Sequence, residues 1–391
     1  MVLKAVKMRI YPNSTQRSQL VQTFGCARFV WNQMLNMQIE RRKNNSDAKF
    51  VNAFGMNNLL KRLKEEYPWL KQAESTALQG ANRDLADAFQ RFFKRQNGFP
   101  RFKSRKYAQS YTSKYVNGNI KIIDNHHIKL PKLGIVYLRT GRLPLGKIKS
   151  VTVRQNTVGQ YYATVLVESE NQTLPKTGKC IGGDLGLKSL INLSDGFKEP
   201  INHFEDPYRM KLHYWERLRS RRYLLAQKAI AWDHHNKVPV PRQLSDFKNY
   251  QKARVMVAKY RQKIANQRLD QLQKLTTKIV KKYDVIVLEK LNTKGMMKNH
   301  HLARAIANAS WSKLVTILQY KCDWYGKQLI QINPSYTSQI CANCGKNSHR
   351  LGLNKSEWLA VREWDCPSCG KHLDRDVNAA RVILQKGLAT L

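Results

Sequence analysis

A multidomain α+β architecture is what this chain of 391 residues predicts, on three observations. Residues 13–105 carry apolar positions at helical spacing, and residues 110–170 break into short strands punctuated by Gly, Pro and Asn. From Cys180 onward, strand-like runs alternate with long helices. With 42% hydrophobic residues, 17 Tyr, 12 Phe and 8 Trp, there is material for more than one core, which excludes global disorder.

Taken in order, residues 2–11 alternate, with Val6, Met8 and Ile10 on one face and Lys7, Arg9 and Tyr11 on the other, the pattern of a strand. Asn13 followed by Gln16 reads as a capping box entered through Pro12. Leu20, Phe24, Ala27, Trp31 and Met34 then form one apolar helical stripe. Helical spacing resumes at Leu59, Leu60 and Leu63, and again at Leu85, Ala88, Phe92 and Phe93, before a basic, aromatic loop over 99–106. Ile120, Ile122, Leu130, Ile135, Tyr137, Val151, Val153 and the run 161–167 supply the strands of a small antiparallel barrel or sandwich, which the strand at 2–11 can join. Residues 169–179 are polar and read as a linker.

The second half begins with strands at 181–184 and 188–193 and a turn at Asp195-Gly196. Helices are expected over 207–230 and 248–282, the second with Val257, Tyr260, Ile264, Leu272, Leu275 and Ile279 on one face. Residues 284–289 form a buried strand ending on a carboxylate, and 329–332 another strand.

Lys plus Arg total 69 and Asp plus Glu 27, a net charge of +42. A globular chain so basic needs a polyanion, with nucleic acid the first candidate and an anionic membrane surface the second. No stretch reaches the roughly 20 apolar residues of a membrane span, and the N-terminal segment has no signal-peptide core. Between Gln251 and Lys282 lie ten Lys or Arg and a single acid, Asp270, a sign bias that solvation alone does not require and that reads as a nucleic-acid track. The 99–106 loop offers further backbone contacts, and Phe102, Tyr107 and Tyr111 are candidates to stack on unpaired bases.

Seven cysteines make an odd count, and four fall in two pairs, Cys341-x-x-Cys344 and Cys366-x-x-Cys369, separated by 21 residues and each followed by Gly345 or Gly370. That spacing predicts one tetrahedral, structural zinc ion in a reducing compartment, the cytosol. His349 and His372 are then not needed as ligands, and Cys26, Cys180 and Cys322 read as core.

Among so few acids, three stand at the ends of elements: Asp184, Glu289, and Asp376 ahead of a helical run. Converging carboxylates are the hard oxygen ligands that two Mg²⁺ ions about 4 Å apart need for phosphodiester hydrolysis. Plainer roles are a helix N-cap for Asp376, a turn for Asp184 and a lysine pair for Glu289.

With these features in order, the chain resembles the TnpB family of transposon-encoded, RNA-guided nucleases related to the type V CRISPR effectors. The resemblance is carried by residues 7–12, 24–32, 99–104, 183–188, 264–268 and 287–292, by 324–326 and 334–339, by the cysteine pairs, and by 374–380. It implies a wedge-type β-barrel over 1–12 and 106–175, interrupted by a helical recognition domain over 13–105. An RNase H-like RuvC nuclease domain would follow over 176–334 and 373–391, with the zinc ribbon inserted over 335–372. Asp184, Glu289 and Asp376 match the family's catalytic acids; Asp376 is preferred to Asp374 because the family's acid lies two residues before an asparagine, here Asn378.

The implied activity is Mg²⁺-dependent cleavage of double-stranded DNA next to a short motif read by the protein, directed by a guide RNA from the same locus. It would take place in the cytoplasm of a prokaryotic cell, with no membrane and no obligate protein partner. Gln79, Asn82 and Arg83 lie where the family's recognition helix faces DNA, and Phe102, Lys103 and Arg268 are further nucleic-acid contacts. One departure is Gly183, where the family has an aliphatic residue, expected to loosen the strand under Asp184. A nuclease-inactive RNA-guided repressor and a DNA-strand-transfer transposase are the other readings.

Overall fold

Strand β1 (Val2–Tyr11) buries Val6, Met8 and Ile10, as its alternation requires. It lies inside a seven-stranded antiparallel sheet with β2 (Gln109–Lys114), β3 (Lys121–Ile122), β4 (His127–Leu130), β5 (Gly134–Arg139), β6 (Lys147–Gln155) and β7 (Tyr161–Ser169), in the order β2-β6-β7-β1-β5-β4-β3. The first strand therefore belongs with the later ones: it pairs with β7 from Val2 opposite Ser169 to Ile10 opposite Tyr161, and with β5 at Arg9–Tyr11. In β5 the core face is Val136 and Leu138, while Ile135 and Tyr137 look outward. This computed structural model describes residues 1–106 and 109–391, so Tyr107 lies outside the described residues.

Three helices separate β1 from β2 in the chain: α1 (Ser14–Asn44), α2 (Ala53–Glu66) and α3 (Ser75–Phe93). The capping box forms, Asn13 Oδ1 accepting the Gln16 N–H at 2.8 Å and Gln16 Oε1 accepting the Asn13 N–H at 3.0 Å. Leu20, Phe24, Val30 and Leu35 of α1 and Leu78 and Leu85 of α3 share one core with Met8, Ile10, Val151 and Val165 of the sheet. Residues 1–170 form this first unit and residues 171–391 a second.

In the second unit β8 (Cys180–Asp184), β9 (Ser189–Leu193) and β10 (Lys198–Pro200) make an antiparallel meander. A helical hairpin follows, α4 (Arg209–His235) and α5 (Lys248–Lys282). Helix α4 runs past the expected end at 230 because buried Asp233 accepts hydrogen bonds from Arg242 Nε at 2.8 Å and Nη2 at 2.6 Å, pinning its last turn. Next come β11 (Val285–Glu289), α6 (Thr293–Met296), α7 (His300–Ala309), α8 (Trp311–Tyr325) and β12 (Gln328–Ile332). The five-stranded sheet has the order β10-β9-β8-β11-β12, with β8, β11 and β12 parallel.

One face of this sheet packs Ile181, Ile286 and Leu288 against Leu272, Leu275 and Ile279 of α5 and Leu314, Ile317 and Leu318 of α8. The final helix, α10 (Arg375–Leu388), covers the other face, burying Ile383 against Val287. It comes so close at Gly182 that a side chain there would collide with the Ala380 carbonyl oxygen, which is why the strand carries glycine. Before α10, residues 333–374 hold α9 (Lys355–Ala360) and the hairpin β13 (Glu363–Asp365) and β14 (His372–Asp374) around a small core of Trp358, Trp364, Leu373, Cys341 and Cys366. Cys26 and Cys322 are buried, as expected of core cysteines, and Cys180 is half-buried.

Candidate active site and metal centre

Leu288 of β11 stands opposite Gly183 of β8 in parallel register, so the next residues, Glu289 and Asp184, stand side by side as the last residues of their strands. The first turn of α10, laid across the same strands, adds Asp376. Asp184 feels the other two acids. Asp184 is pushed up to about 8, first by burial, then by the charges of Glu289 and Asp376, against Arg375 and a hydrogen bond with Asn192, its cross-strand partner. Burial likewise raises Glu289, which is 5% exposed, against a hydrogen bond from Thr337 and the charge of Lys386. Thr337 Oγ1 donates to Glu289 Oε1 at 2.6 Å. Asp376 Oδ1 accepts from Arg375 Nη2 at 3.1 Å, and Arg362 Nη1 stands 3.8 Å from its other oxygen.

The N-cap of α10 is Asp374, whose Oδ1 accepts the N–H groups of Asp376 at 3.1 Å and Val377 at 2.9 Å while Lys198 Nζ lies 2.6 Å from its Oδ2. Capping is thus done by Asp374, and the Asp376 carboxylate is not used as a cap but faces Arg375 and Arg362. Buried Glu289 and partly buried Asp184 and Asp376, with Asp184 raised by the charges of the other two, form a donor set that a hard divalent cation relieves. They are not drawn into a closed cage. Among the described residues only the four cysteines bring all their donor atoms within 4.8 Å of one another. An open carboxylate set suits Mg²⁺, which retains waters and binds substrate phosphate.

At the cysteines, Cys341 Sγ lies 3.7 Å from Cys369 Sγ, and Cys344 Sγ 3.7 Å from Cys366 Sγ. A tetrahedron with metal–sulfur bonds of about 2.3 Å has edges of about 3.8 Å, so the donor geometry fits zinc. The two knuckles repeat one design: the Gly345 N–H bonds the Cys341 carbonyl at 2.9 Å and the Gly370 N–H the Cys366 carbonyl at 2.8 Å, both glycines at positive φ. His372 stays out, its Nδ1 paired with Asp365 at 2.8 Å.

The expected nucleic-acid contacts divide. Gln79 is exposed and Arg83 half-exposed, but Asn82 is fully buried and donates from Nδ2 to Asn57 Oδ1 at 2.9 Å, so it does not face DNA. Tyr111 is also core, 5% exposed and packed on Phe24, which removes it as a base-stacking surface. Phe102 stands half-exposed in its loop. The Lys103 ammonium lies 3.5 Å from the Trp31 ring centroid, and Arg268 Nη2 donates to Asn308 Oδ1 at 2.8 Å, ties that bind both side chains to neighbouring elements.

Gly183 is not a gap. A Cβ there would stand 2.7 Å from Leu288 Cδ2 and 2.8 Å from Ile191 Cδ1, side chains that already fill the space, so the expectation of a loosened strand is corrected. Sequence reasoning passed over Asn192, Thr337 and Arg375, the groups that hold the three acids.

Three family models match the chain: "Helix-turn-helix domain" over residues 1–47, "Probable transposase" over 164–300 and "Cas12f1-like, TNB domain" over 311–383. Residues 1–47 here comprise one strand and one long helix. A Streptomyces pristinaespiralis protein named "Putative RNA-guided DNA endonuclease" is 34% identical over 399 residues, covering 99% of this chain and 90% of that protein. The Escherichia coli (strain K12) protein "Putative RNA-guided DNA endonuclease InsQ" is 32% identical over 408 residues, covering 100% and 93%. The fold is similar to that of a protein solved by cryo-EM as a Cas12f1-sgRNA-target DNA complex, with a TM-score of 0.57 and 13% identity over 98% of each chain. On full-length identity to these relatives, the chain belongs to the TnpB family.

Proposed function

We propose that this protein is an RNA-guided endonuclease that cleaves double-stranded DNA beside a short motif the protein reads, with a guide RNA from its own locus. The observation that carries the reading is that Asp184 and Glu289 end neighbouring parallel strands and that the charges of Glu289 and Asp376 both raise the cost of charging Asp184. The meander β10-β9-β8 followed by parallel β11 and β12 supports an RNase H-like, RuvC-type domain over 176–334 and 373–391, with 335–372 as its zinc ribbon. Residues 1–12 and 106–175 are read as the wedge and 13–105 as the recognition helices.

In this reading Asp184, Glu289 and Asp376 hold two Mg²⁺ ions. Bound there, Mg²⁺ supplies Lewis acidity at the phosphodiester and a water of lowered pKa. The protein's own part is to fix the ligands. Asn192 restrains Asp184, Thr337 aims the Glu289 carboxylate, and Arg375 holds Asp376. Exposed Lys252, Arg254 and Lys259 on α5 offer contacts to a phosphate backbone, so sequence choice rests on guide pairing.

The test is to purify the protein from cells carrying its locus, sequence RNA that survives a high-salt wash, and present the complex with a plasmid library and Mg²⁺. One defined RNA with guide-dependent cuts that vanish in Asp184→Ala is expected. Guided binding without cuts would instead support the repressor, and joined 3′-OH products the transposase.

A further inference from the structure

The residues that hold Glu289 and Asp376 come from, or bridge to, the cysteine segment rather than the sheet. Thr337, four residues before Cys341, is 5% exposed and gives its hydroxyl proton to Glu289 Oε1. Arg375 donates through Nη1 to the Trp358 carbonyl at 2.7 Å and through Nη2 to Asp376, and its own N–H bonds the Arg362 carbonyl at 2.8 Å. Asn378, one turn along α10 and 1% exposed, straddles Cys341: its Oδ1 accepts the Ala342 N–H at 2.8 Å and its Nδ2 donates to the Ile340 carbonyl at 2.7 Å. Gln385 Nε2 reaches the Ala342 carbonyl at 2.8 Å, and Lys386 Nζ the Ser335 carbonyl at 2.8 Å. Asp184 differs, being held by Asn192 within the sheet.

The packing of the cysteine segment cannot supply this order unaided. Its core is Trp358, Trp364, Leu373 and two of the cysteines, too little apolar area to hold some forty residues without a metal or disulfides. Order in the loop carrying Thr337, Ile340 and Ala342 therefore depends on the cysteine sulfurs being joined.

We infer that Thr337 and Asn378 are positioning residues through which the four-cysteine centre sets the carboxylates of Glu289 and Asp376, so that divalent-cation binding at the acids depends on zinc at the cysteines. The inference deepens the proposed nuclease site and rests on that reading for its catalytic meaning. It makes nuclease competence responsive to zinc supply and to thiol oxidation, while the basic surface that binds nucleic acid stays intact.

The experiment is a Mn²⁺ titration of the full-length protein, followed by electron paramagnetic resonance, with thermal melting in parallel. Thr337→Val keeps the shape and removes the hydroxyl; Thr337→Ser restores it. Thr337→Val should weaken Mn²⁺ binding about 10- to 100-fold, the usual cost of losing a group that orients a ligand, and Thr337→Ser should bind within a few-fold of wild type. Equal Mn²⁺ affinity in all three overturns the inference. Should Thr337→Val fail to fold, wild-type protein stripped of zinc by a chelator gives a second reading. Mn²⁺ affinity that falls with zinc removal and returns with Zn²⁺ or Co²⁺ supports the coupling, and an unchanged affinity overturns it. Guided cleavage by the wild type separately tests the nuclease reading, so either idea can fail alone.

Discussion

Lys198 Nζ and Asp374 Oδ2 lie 2.6 Å apart, joining edge strand β10 to the N-cap of α10. The helix that delivers Asp376 is thereby seated at its first residue by an ion pair and by two capping hydrogen bonds. The two neighbouring aspartates have separable tasks, and the first prediction separates them.

Asp374→Asn keeps a capping oxygen, so helix stability and cleavage should stay near wild type, while Asp374→Ala should cost about 1 kcal/mol in thermal or denaturant unfolding. Asp376→Asn should instead lower the cleavage rate at least about 100-fold. A guided plasmid assay beside melting curves checks both, and inactive Asp374→Asn with active Asp376→Asn would falsify the assignment.

The paired glycines of β8 should respond unequally. A methyl at Gly182 meets the rigid backbone of α10, whereas one at Gly183 meets the rotatable ends of Leu288 and Ile191. Gly182→Ala should destabilise the second unit by about 3 kcal/mol or more and Gly183→Ala by about 1 kcal/mol. Urea unfolding of the two variants measures this; equal losses would mean the helix yields.

Zinc analysis should find one ion per chain. Removing it, or replacing Cys366 by Ser, should speed amide hydrogen exchange over 335–372 and leave residues 1–170 as protected as before. Unchanged protection over 335–372 would count against a metal-dependent fold there.

Asp284 is held down at about 2, first by its hydrogen bond with Lys327, helped by the N–H groups of Gly178 and Thr177. A carboxyl with a folded pKa below its unfolded value of 3.8 stabilises the fold fully above that value. The contribution is lost as the pH falls toward 2. Asp284→Asn should therefore be less stable than wild type at pH 6, and the difference should shrink below pH 3.8 and close as the pH falls through about 2. Circular dichroism melts across that range test it, and a constant difference would refute it.

Much of this was legible in the residues. The alternation of Val6, Met8 and Ile10, the Asn13–Gln16 box and the doubled cysteine pairs report themselves, because each is a local rule with few substitutes. Asn82 was legible too: it lies four residues after Leu78 and three before Leu85, on the buried stripe of α3. Resemblance placed it on the DNA side; helical periodicity points it inward. Thr337 and Arg268 gave no such signal. Their partners, Glu289 and Asn308, lie dozens of residues away, and no spacing rule encodes a hydrogen bond across that separation. The open face of β5 was hidden for a similar reason: alternation divides Ile135 and Tyr137 from Val136 and Leu138 but does not say which pair meets the helices.

The placement of α10 across β8 has a consequence for synthesis. Asp184 and Glu289 leave the ribosome long before the helix that completes their set, and the cysteine segment must emerge in between. A nascent chain that has passed Glu289 but not reached Asp376 holds two acids and no third. On the proposed assignment of the acids, nuclease competence would arrive only with the closing helix.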